Sequence, residues 1–435
     1  MNLLKFIGTG VIVTAGLFAA EAQGVLSLEQ CIQQALEANY SIKMVRNEEQ
    51  IADNNANIAP FLPTLNADAQ QTQRINQTKS KVDGTPIENS GVGSNALSAG
   101  VALDWRLFDG LSMFTTYEKY REMATIGELN TQMALENLVL TVSEAYYDVV
   151  IQHNKLEAVH HSLTLSKDRY NEALDKYVLG VLSGLEAQQA KIDLNADSSR
   201  YVKQQEVLKS AYISLNHILN IELNKVLYVR DSISLLDQLM LGELQESTLS
   251  SNTSLIIARK DQKISALDVK IARSALFPTL DFNSGYNYSR TQTPSASASL
   301  NRTNGFYWGF TMRVPLFDRL ENNRKIRNAR LTEENAEWSC KELELQVMAD
   351  LAQLYNNYEN NLHIVNFEIE NAGIAYDNLD AALEKYKIGS LPGIEFREFQ
   401  RSYIDAIDRK LAAIYQAKIS ELSLLLISGQ MRVAE

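Results

Sequence analysis

The sequence predicts a mixed α and β membrane protein built from two tandem structural repeats. Ordered motifs recur roughly 200 residues apart along the 435-residue chain. Two pairs of segments alternate apolar and polar residues with the period of a β-strand. A long seam of apolar residues has helical spacing, and no proline interrupts the chain between Pro86 and Pro278. Because a proline inside a helix costs about 3 kcal/mol, that stretch is free to form long helices.

Residues 1–22 are predicted to be a secretory signal peptide. Lys5 precedes an apolar run from Phe6 to Ala20, and the segment 20–22 (Ala-Glu-Ala) fits the small-x-small pattern of a cleavage site. A membrane anchor helix is the alternative. A spanning helix needs about 20 apolar residues, and this run is shorter.

The net charge argues against a nucleic-acid partner, and the cysteine content argues against a zinc site or a disulfide framework. The net charge is −12, and Lys and Arg do not gather into a basic face along the sequence, so nucleic acid is not an expected partner. Cys31 and Cys340 have neither the number nor the spacing of a zinc site or a disulfide framework. We expect both to be ordinary buried or semi-buried thiols. Cys31 lacks the small residues that precede a lipid-modified cysteine.

Three motifs recur in the same order and define the repeat. The segment 59–65 (Ala-Pro-Phe-Leu-Pro-Thr-Leu) returns at 275–280 (Ala-Leu-Phe-Pro-Thr-Leu). Leu-Phe-Asp at 107–109 and the helical segment 173–180 each return 209 residues later. The sequence therefore predicts a first repeat over 23–230 and a second over 231–435.

Four strands of about ten residues are predicted, the length of a transmembrane β-strand. They form hairpins over 64–107 and 279–316. The segments 74–96 and 291–304 are rich in Ser, Asn, Thr and Gly and are predicted to be exposed loops. Alternation assigns one face to lipid (Leu97, Val101, Leu103, Trp105, Phe306, Trp308 and Phe310) and the other to the lumen or its rim (Asp104, Arg106, Thr311 and Arg313). An ordinary half-buried soluble sheet is the alternative, which the aromatic strand ends and the export signal disfavour.

Outside the strands the chain is predicted to be helical. An apolar seam with spacing of three and four runs from Leu135 to Tyr177 and returns 209 residues later, from Val347 to Tyr386. The run from Leu111 to Tyr177 could form one helix about 100 Å long, with a second returning from Gly184 toward Leu219. Helices of this length must pack as coiled coils, with hairpin tips near residues 180 and 389.

Four strands cannot close a membrane barrel, because single-chain barrels begin at eight. An open sheet edge in lipid would leave backbone groups without hydrogen bonds. Several chains must therefore share one barrel.

The chain resembles the TolC-like outer membrane efflux protein family, the outer-membrane factors of tripartite efflux or type I secretion systems. Four motifs carry the resemblance: the segment 28–36 (Leu-Glu-Gln-Cys-Ile-Gln-Gln-Ala-Leu), the Pro-Thr-Leu at the start of each β-hairpin, the Tyr-x-x-Gly turn at each helical tip, and the segment 391–406. The resemblance covers essentially the whole mature chain. It implies a homotrimer with a twelve-stranded barrel in outer-membrane lipid, continued by a helical coiled-coil barrel across the periplasm.

The resemblance also implies partners and sites. The hairpin tips would meet a periplasmic adaptor (membrane fusion) protein that couples the duct to an inner-membrane pump; the tip residues are Gly180, Val181, Leu182, Gly389, Ser390 and Leu391. Pro392 departs from the family, whose tip more often has a small hydroxyl residue there.

An acidic pair is the candidate periplasmic gate. Asp377 and Asp380 lie at i and i+3 before the second tip, whereas the first repeat has Asp168 and Asn171. In the family, acidic residues near the second tip face the pore, so three chains would place six carboxylates around one opening. Such a ring attracts cations. Solvated helix-surface residues are the alternative.

No catalytic motif is present: the sequence has no His-Glu-x-x-His, phosphate loop, Gly-x-Ser-x-Gly or Cys-x-x-Cys. We therefore expect no enzyme activity, cofactor or metal. The expected function is an outer-membrane exit duct, with drugs, metals, lipids or secreted proteins as possible cargo. The alternative is a secreted or surface structural coiled-coil protein without transport activity, which would explain the helices but not the strand pairs.

Overall fold

Two long helical hairpins and a four-stranded antiparallel sheet make up the computed structural model, which describes residues 26–431 except 228, 230–231, 237–238 and 294–299. Side chains are described outside 76–82 and 85–92. The predicted signal peptide, residues 1–22, lies outside the described residues. The elements are α1 (Leu28–Ala38), α2 (Tyr40–Asn55), β1 (Thr64–Val82), β2 (Thr85–Asp109), α3 (Ser112–Val178), α4 (Gly184–Leu219), α5 (Leu241–Ser251), α6 (Thr253–Ser274), β3 (Thr279–Gln292), β4 (Leu300–Arg313), α7 (Glu321–Lys387) and α8 (Gly393–Ile427).

The same order of elements occurs twice: two shorter helices, a β-hairpin, a helix of 67 residues and a returning helix of about half that length. This order confirms the predicted fold class of two tandem repeats with a four-strand sheet. Repeat boundaries at 23–230 and 231–435 stay a prediction.

Local signals start the two N-terminal helices. Ser27 forms a capping box with Gln30: its hydroxyl accepts a hydrogen bond from the Gln30 amide, and the Gln30 side chain accepts one from the Ser27 amide. Asn39 caps α2 by accepting from the amides of Ser41 and Ile42. Tyr146 then ties this segment to α3 through a hydrogen bond from its hydroxyl to the Leu26 carbonyl, 3.0 Å long.

The four strands form one sheet in the order β1-β2-β3-β4, with every neighbouring pair antiparallel. The first hairpin is longer than predicted. Residues 74–96 were predicted to be a loop, and that prediction is wrong, because β1 and β2 run on to a two-residue turn at Asp83-Gly84. Both turn residues have positive φ, as a tight type I′ hairpin turn requires. In the second hairpin the predicted loop 291–304 is strand at 291–292 and 300–304, and its residues 294–299 lie outside the described part.

The long helices pair as predicted, α3 with α4 and α7 with α8. Seam residues such as Val142, Val149, Leu351 and Leu379 are buried. The polar break in each seam hydrogen-bonds to the returning helix, since Gln204 donates to the Gln152 side chain at 2.9 Å and Asn361 donates to Ser420 at 2.7 Å. One polar residue in each outgoing helix thus contacts the returning helix, and the two residues occupy equivalent positions in the two repeats.

Cys31 and Cys340 are both buried free thiols, as the sequence predicted. Burial, reinforced by the nearby Glu29 carboxylate, raises the pKa of the Cys31 thiol to about 12. Cys31 packs in the main core cluster with residues such as Val142 and Leu215, which accounts for its place in α1.

Candidate functional site: sheet faces, helical tips and acidic pairs

The pairing register gives the sheet one apolar face and one polar face, because directly paired residues project to the same side. On the apolar face, one row crosses all four strands through Ala67, Val101, Tyr286 and Phe306. The other members predicted to face lipid share this side: Leu97, Leu103, Trp105, Trp308 and Phe310. A register shift between Arg106 and Phe108 then pairs Phe108 with Leu280.

Charged and amide side chains occupy the polar face, where they bond to one another across the strands. Arg106 donates to Asp281 at 2.9 Å, and Asn283 donates to Asp104 at 2.6 Å. The predicted lumen residues Thr311 and Arg313 lie on the same side, paired with Asp281 and Thr279. A face of this kind suits contact with water and disfavours contact with lipid.

A glycine on the polar face leaves room for an aromatic ring. Gly285 pairs with Tyr307, and a Cβ added at Gly285 would lie 2.7 Å from the Tyr307 hydroxyl and 2.6 Å from the Val101 carbonyl oxygen. Any larger residue at this position would displace Tyr307 or the neighbouring strand.

Glycine ends the outgoing helix at each hairpin tip. Gly180 has φ +74°, and the amides of Val181 and Leu182 both donate to the Lys176 carbonyl. Gly389 has φ +76°, and the Ser390 amide donates to the Lys385 carbonyl at 2.9 Å. Both patterns are those of a helix that closes with a left-handed residue.

The tips expose a band of apolar residues wider than the sequence indicated. Of the predicted tip residues, Gly180, Val181, Gly389 and Ser390 are exposed, whereas Leu182 and Leu391 are half-buried. Leu391 packs against the small cluster of Leu379, Ala382 and Phe396. Sequence reasoning missed the remaining exposed members, which adjoin the turns: Val178, Leu179, Leu185, Ile388 and Ile394.

The two tips lie side by side in one chain. The Lys176 ammonium of the first hairpin is 5.7 Å from the ring centroid of Tyr386 in the second, and Tyr386 stacks on Phe396 at 5.2 Å. Farther from the tips, Arg397 of α8 pairs with buried Asp197 of α4, and Gln400 donates to the Ser162 carbonyl at 2.7 Å. These contacts hold the second hairpin against the first near its end.

Asp377 and Asp380 are both exposed on α7, opposite the buried Leu379. A second acidic pair was missed by the sequence reasoning: Glu395 and Glu398 are exposed at i and i+3 on α8, immediately after the second tip. Glu398 lies 3.5 Å from Arg401. The end of the second hairpin therefore carries two pairs of exposed carboxylates on two antiparallel helices, with exposed Glu384 between the first pair and the tip.

Among the described residues, His, Cys, Asp and Glu side chains form no group of three or more that could hold a metal ion. No helix in that part of the chain combines the length and the apolar character needed to cross a membrane.

Comparison with known proteins gives the same architecture. The chain is 23% identical over 336 residues to the outer membrane protein TolC of Vibrio cholerae, covering 76% of each protein. Its fold matches the Campylobacter jejuni CmeC outer membrane channel with a TM-score of 0.74 at 14% identity, covering 99% of this chain and 94% of that one. It also matches the open state of the Neisseria gonorrhoeae MtrE outer membrane channel with a TM-score of 0.72 at 16% identity, covering 93% and 89% of the two chains.

The family model described as outer membrane efflux protein matches residues 31–220 and 244–430, which is most of the chain. Together with the two-faced sheet and the long helical hairpins, this match shows that the chain belongs to the outer membrane efflux protein family and is an outer-membrane protein with a β-barrel and a periplasmic helical part.

Proposed function

We propose that this protein is an exit duct that exports small molecules or proteins through a homotrimeric channel, coupled by a periplasmic adaptor protein to an inner-membrane pump. Three copies of the four-stranded sheet would form one barrel of twelve strands. Their helical hairpins would form the tunnel below it. The observation that carries the proposal is the open sheet with its apolar outer face.

The open sheet supports the trimer on physical grounds. β1 and β4 are the two edges of the sheet in the described chain. In hydrocarbon each unpaired backbone group costs several kcal/mol, so these edges need partners inside the membrane. Pairing β4 of one chain with β1 of the next closes the barrel with an even number of strands.

The tips support the adaptor. Exposed Leu179, Val181 and Ile388 place apolar side chains at the far end of the molecule, where a solitary helical turn in water has no need of them. An α-helical hairpin of an adaptor could bury this band. A secreted structural coiled coil would explain the helices, but it would not need a sheet with one largely apolar face.

Cysteine cross-linking tests the shared barrel, and the native thiols do not interfere because Cys31 and Cys340 are buried. Asp68→Cys in β1 would be combined in turn with Thr303→Cys, Gly305→Cys or Thr311→Cys in β4, all on the polar face. We expect oxidised outer membranes to give a disulfide-linked species of three chains for at least one pair. Asp68→Cys alone is the control and should give no such species.

A second measurement addresses transport. Deleting the gene should raise sensitivity to exported toxic compounds, and the wild-type gene should restore resistance. A monomer in mild detergent with its strand content intact would contradict the shared barrel. Outer-membrane trimers that change no export phenotype would contradict the transport role.

A further inference from the structure

At the base of the second β-hairpin (β3 and β4), the structure forms a groove of about 830 Å³ in which half of the lining residues are arginine. It lies between the end of α6 and the start of α7, where the chain enters β3 and leaves β4. Its basic lining is Arg273, Arg319, Arg324, Arg327 and Arg330. Glu321 is the one acid among the residues that line this described groove, so the lining carries a formal charge of +4 in a chain whose net charge is −12.

Most of this positive charge is not neutralised by neighbouring acids. Arg324 lies 2.7 Å from Glu321, and Lys325 is 3.9 Å from the same carboxylate. Among the described residues, the other four arginines have no carboxylate within 4.0 Å. The groove thus presents several guanidinium groups, which match phosphate geometry well.

The helix dipole of α7 does not explain the position of these charges. Arg324 and Arg327 are in the first two turns of α7, where the helix macrodipole disfavours positive charge. The first repeat shows that the fold does not require an arginine at either position, because Thr115 and Glu118 stand 209 residues earlier, whereas Arg330 corresponds to Arg121. The stability of α7 therefore does not explain Arg327.

The equivalent junction of the first repeat is closed by aromatic packing instead. Phe61 contacts Phe114 at 5.1 Å and Tyr117 at 5.8 Å between ring centroids, and Trp105 donates to the Phe61 carbonyl at 2.9 Å. Each chain therefore has one aromatic junction and one open arginine junction at the same level of the molecule.

Apolar residues near the groove, where α6 leads into β3 and β4 leads into α7, indicate what environment borders it. Leu276 and Leu320 line it together with the arginines. Between the groove and β4, Leu316 and Phe317 are 92% and 79% exposed in the single chain. Side chains of this kind suit the border between hydrocarbon and headgroups, whereas an aqueous lumen would leave them wet.

We propose that this groove, with Arg273, Arg319, Arg327 and Arg330 as its principal contacts, binds the phosphate-bearing headgroup of an anionic phospholipid in the periplasmic leaflet of the outer membrane. The strand ends place the groove at the level of that leaflet, and the adjoining Leu and Phe side chains contact the acyl chains. The proposal uses the outer-membrane location of the family and does not depend on the adaptor or the cargo.

Native mass spectrometry of the detergent-purified full-length protein tests the proposal, with phosphatidylglycerol and phosphatidylcholine as probes. We expect phosphatidylglycerol to bind several-fold more tightly. Because one basic residue near a lipid surface contributes about 1 kcal/mol, each arginine lost should weaken phosphatidylglycerol binding about fivefold. The test variant is Arg273→Gln/Arg327→Gln/Arg330→Gln. The charge-matched control, Arg46→Gln/Arg200→Gln/Arg401→Gln, changes three exposed arginines away from either junction and should keep the preference.

A variant with the opposite expected effect covers the case in which the triple variant fails to fold. Glu321→Gln removes the acid that pairs with Arg324 and should tighten phosphatidylglycerol binding. Equal binding of the two lipids by the wild type, equal losses in both triple variants, or unchanged binding by Glu321→Gln would each overturn the proposal. Displacement of phosphatidylglycerol by millimolar inorganic phosphate would assign the groove to a soluble anion and overturn the lipid assignment.

Discussion

Arg397 on α8 binds Asp197 on α4 through both terminal nitrogens of its guanidinium group, with 2.8 Å between Nη2 and Oδ1. Asp197 is 2% exposed and also accepts a hydrogen bond from the Ser166 hydroxyl. The pair joins the second helical hairpin to the first near the tips, where Leu165 of α3 also packs against Leu379, Ala382 and Phe396. It is a buried, bidentate ion pair between a helix of the second repeat and a helix of the first.

Arg397→Gln should destabilise the protein by about 3 kcal/mol, because it leaves a buried carboxylate without its cation. Arg401→Gln is the matched control one turn along the same helix, where the pair with Glu398 is exposed and should contribute under about 1 kcal/mol. The free energy of unfolding, followed by the helical circular dichroism signal, measures both. Similar losses in the two variants would show that the buried pair has no special weight.

A second polar link makes stability depend on pH. Glu122 of α3 accepts hydrogen bonds from Lys260 at 2.8 Å and from Lys263 at 2.6 Å, both on α6. These bonds hold the pKa of Glu122 below its ordinary value of 4.5, although burial opposes them. A carboxyl whose pKa is lower in the folded state stabilises the fold above its unfolded pKa and loses that contribution as pH falls through the folded pKa.

The melting temperature of the wild type should therefore fall between pH 7 and pH 3, and Glu122→Gln should reduce that fall. Glu337→Gln, which removes an exposed carboxylate paired only with Lys341 of its own helix, is the control. An equally steep acid dependence in Glu122→Gln and the wild type would contradict this role of Glu122.

The long helices could be predicted because their packing depends on a periodic signal that the sequence displays directly. Val142 and Val149, or Leu351 and Tyr358, recur at the spacing that a coiled coil buries. The strand faces were predictable for a similar reason, since alternation alone places Val101 and Trp105 on one side.

The length of the first hairpin was not predicted, because polar composition around Thr78 and Ser90 was interpreted as loop. A strand that continues outside the membrane needs no alternation of apolar and polar residues. Amino-acid composition therefore does not distinguish such a strand from a loop. Asp83-Gly84 is a strong two-residue hairpin signal and could have corrected the prediction. The expectation that Lys and Arg do not gather into a basic face is wrong at the arginine groove. Arg319, Arg324, Arg327 and Arg330 lie within twelve residues of one another, and Arg273 joins them where α6 packs beside α7.

The facing of the sheet predicts a large difference between adjacent positions. Val101→Arg places a charge on the apolar face between Ala67 and Tyr286, at a cost of about 2–4 kcal/mol near mid-membrane. Ala102→Arg places the same charge on the polar face beside Asn66. Outer-membrane levels of folded protein should fall much further for Val101→Arg, and the reverse ranking would refute the facing.

The tips predict loss of efflux without loss of assembly. Gly180→Asp and Gly389→Asp put a charge in the apolar band, and an added Cβ at either site meets no atom within 4 Å. Gly84→Asp is the control, because it has the same left-handed strain (φ +77°) and the same open surroundings at the other end of the molecule. Drug susceptibility should rise for the tip variants alone. Equal susceptibility of the tip variants and the wild type would count against adaptor contact there.

The candidate gate can be assigned by comparing the two acidic pairs at the end of the second hairpin. If Asp377 and Asp380 line the entrance, Asp377→Asn/Asp380→Asn should reduce cation selectivity and block by polyvalent cations in planar bilayers, because fewer carboxylates would face the pore. Glu395→Gln/Glu398→Gln removes the same number of charges from α8 and serves as the matched comparison. Selectivity and block that change only with the glutamates would move the gate to α8 and leave Asp377 and Asp380 as solvated surface residues. In either case, adaptor engagement should open the pore by moving the inner helices outward, so the sensitive pair should lose its block when the adaptor is added to the wild-type channel.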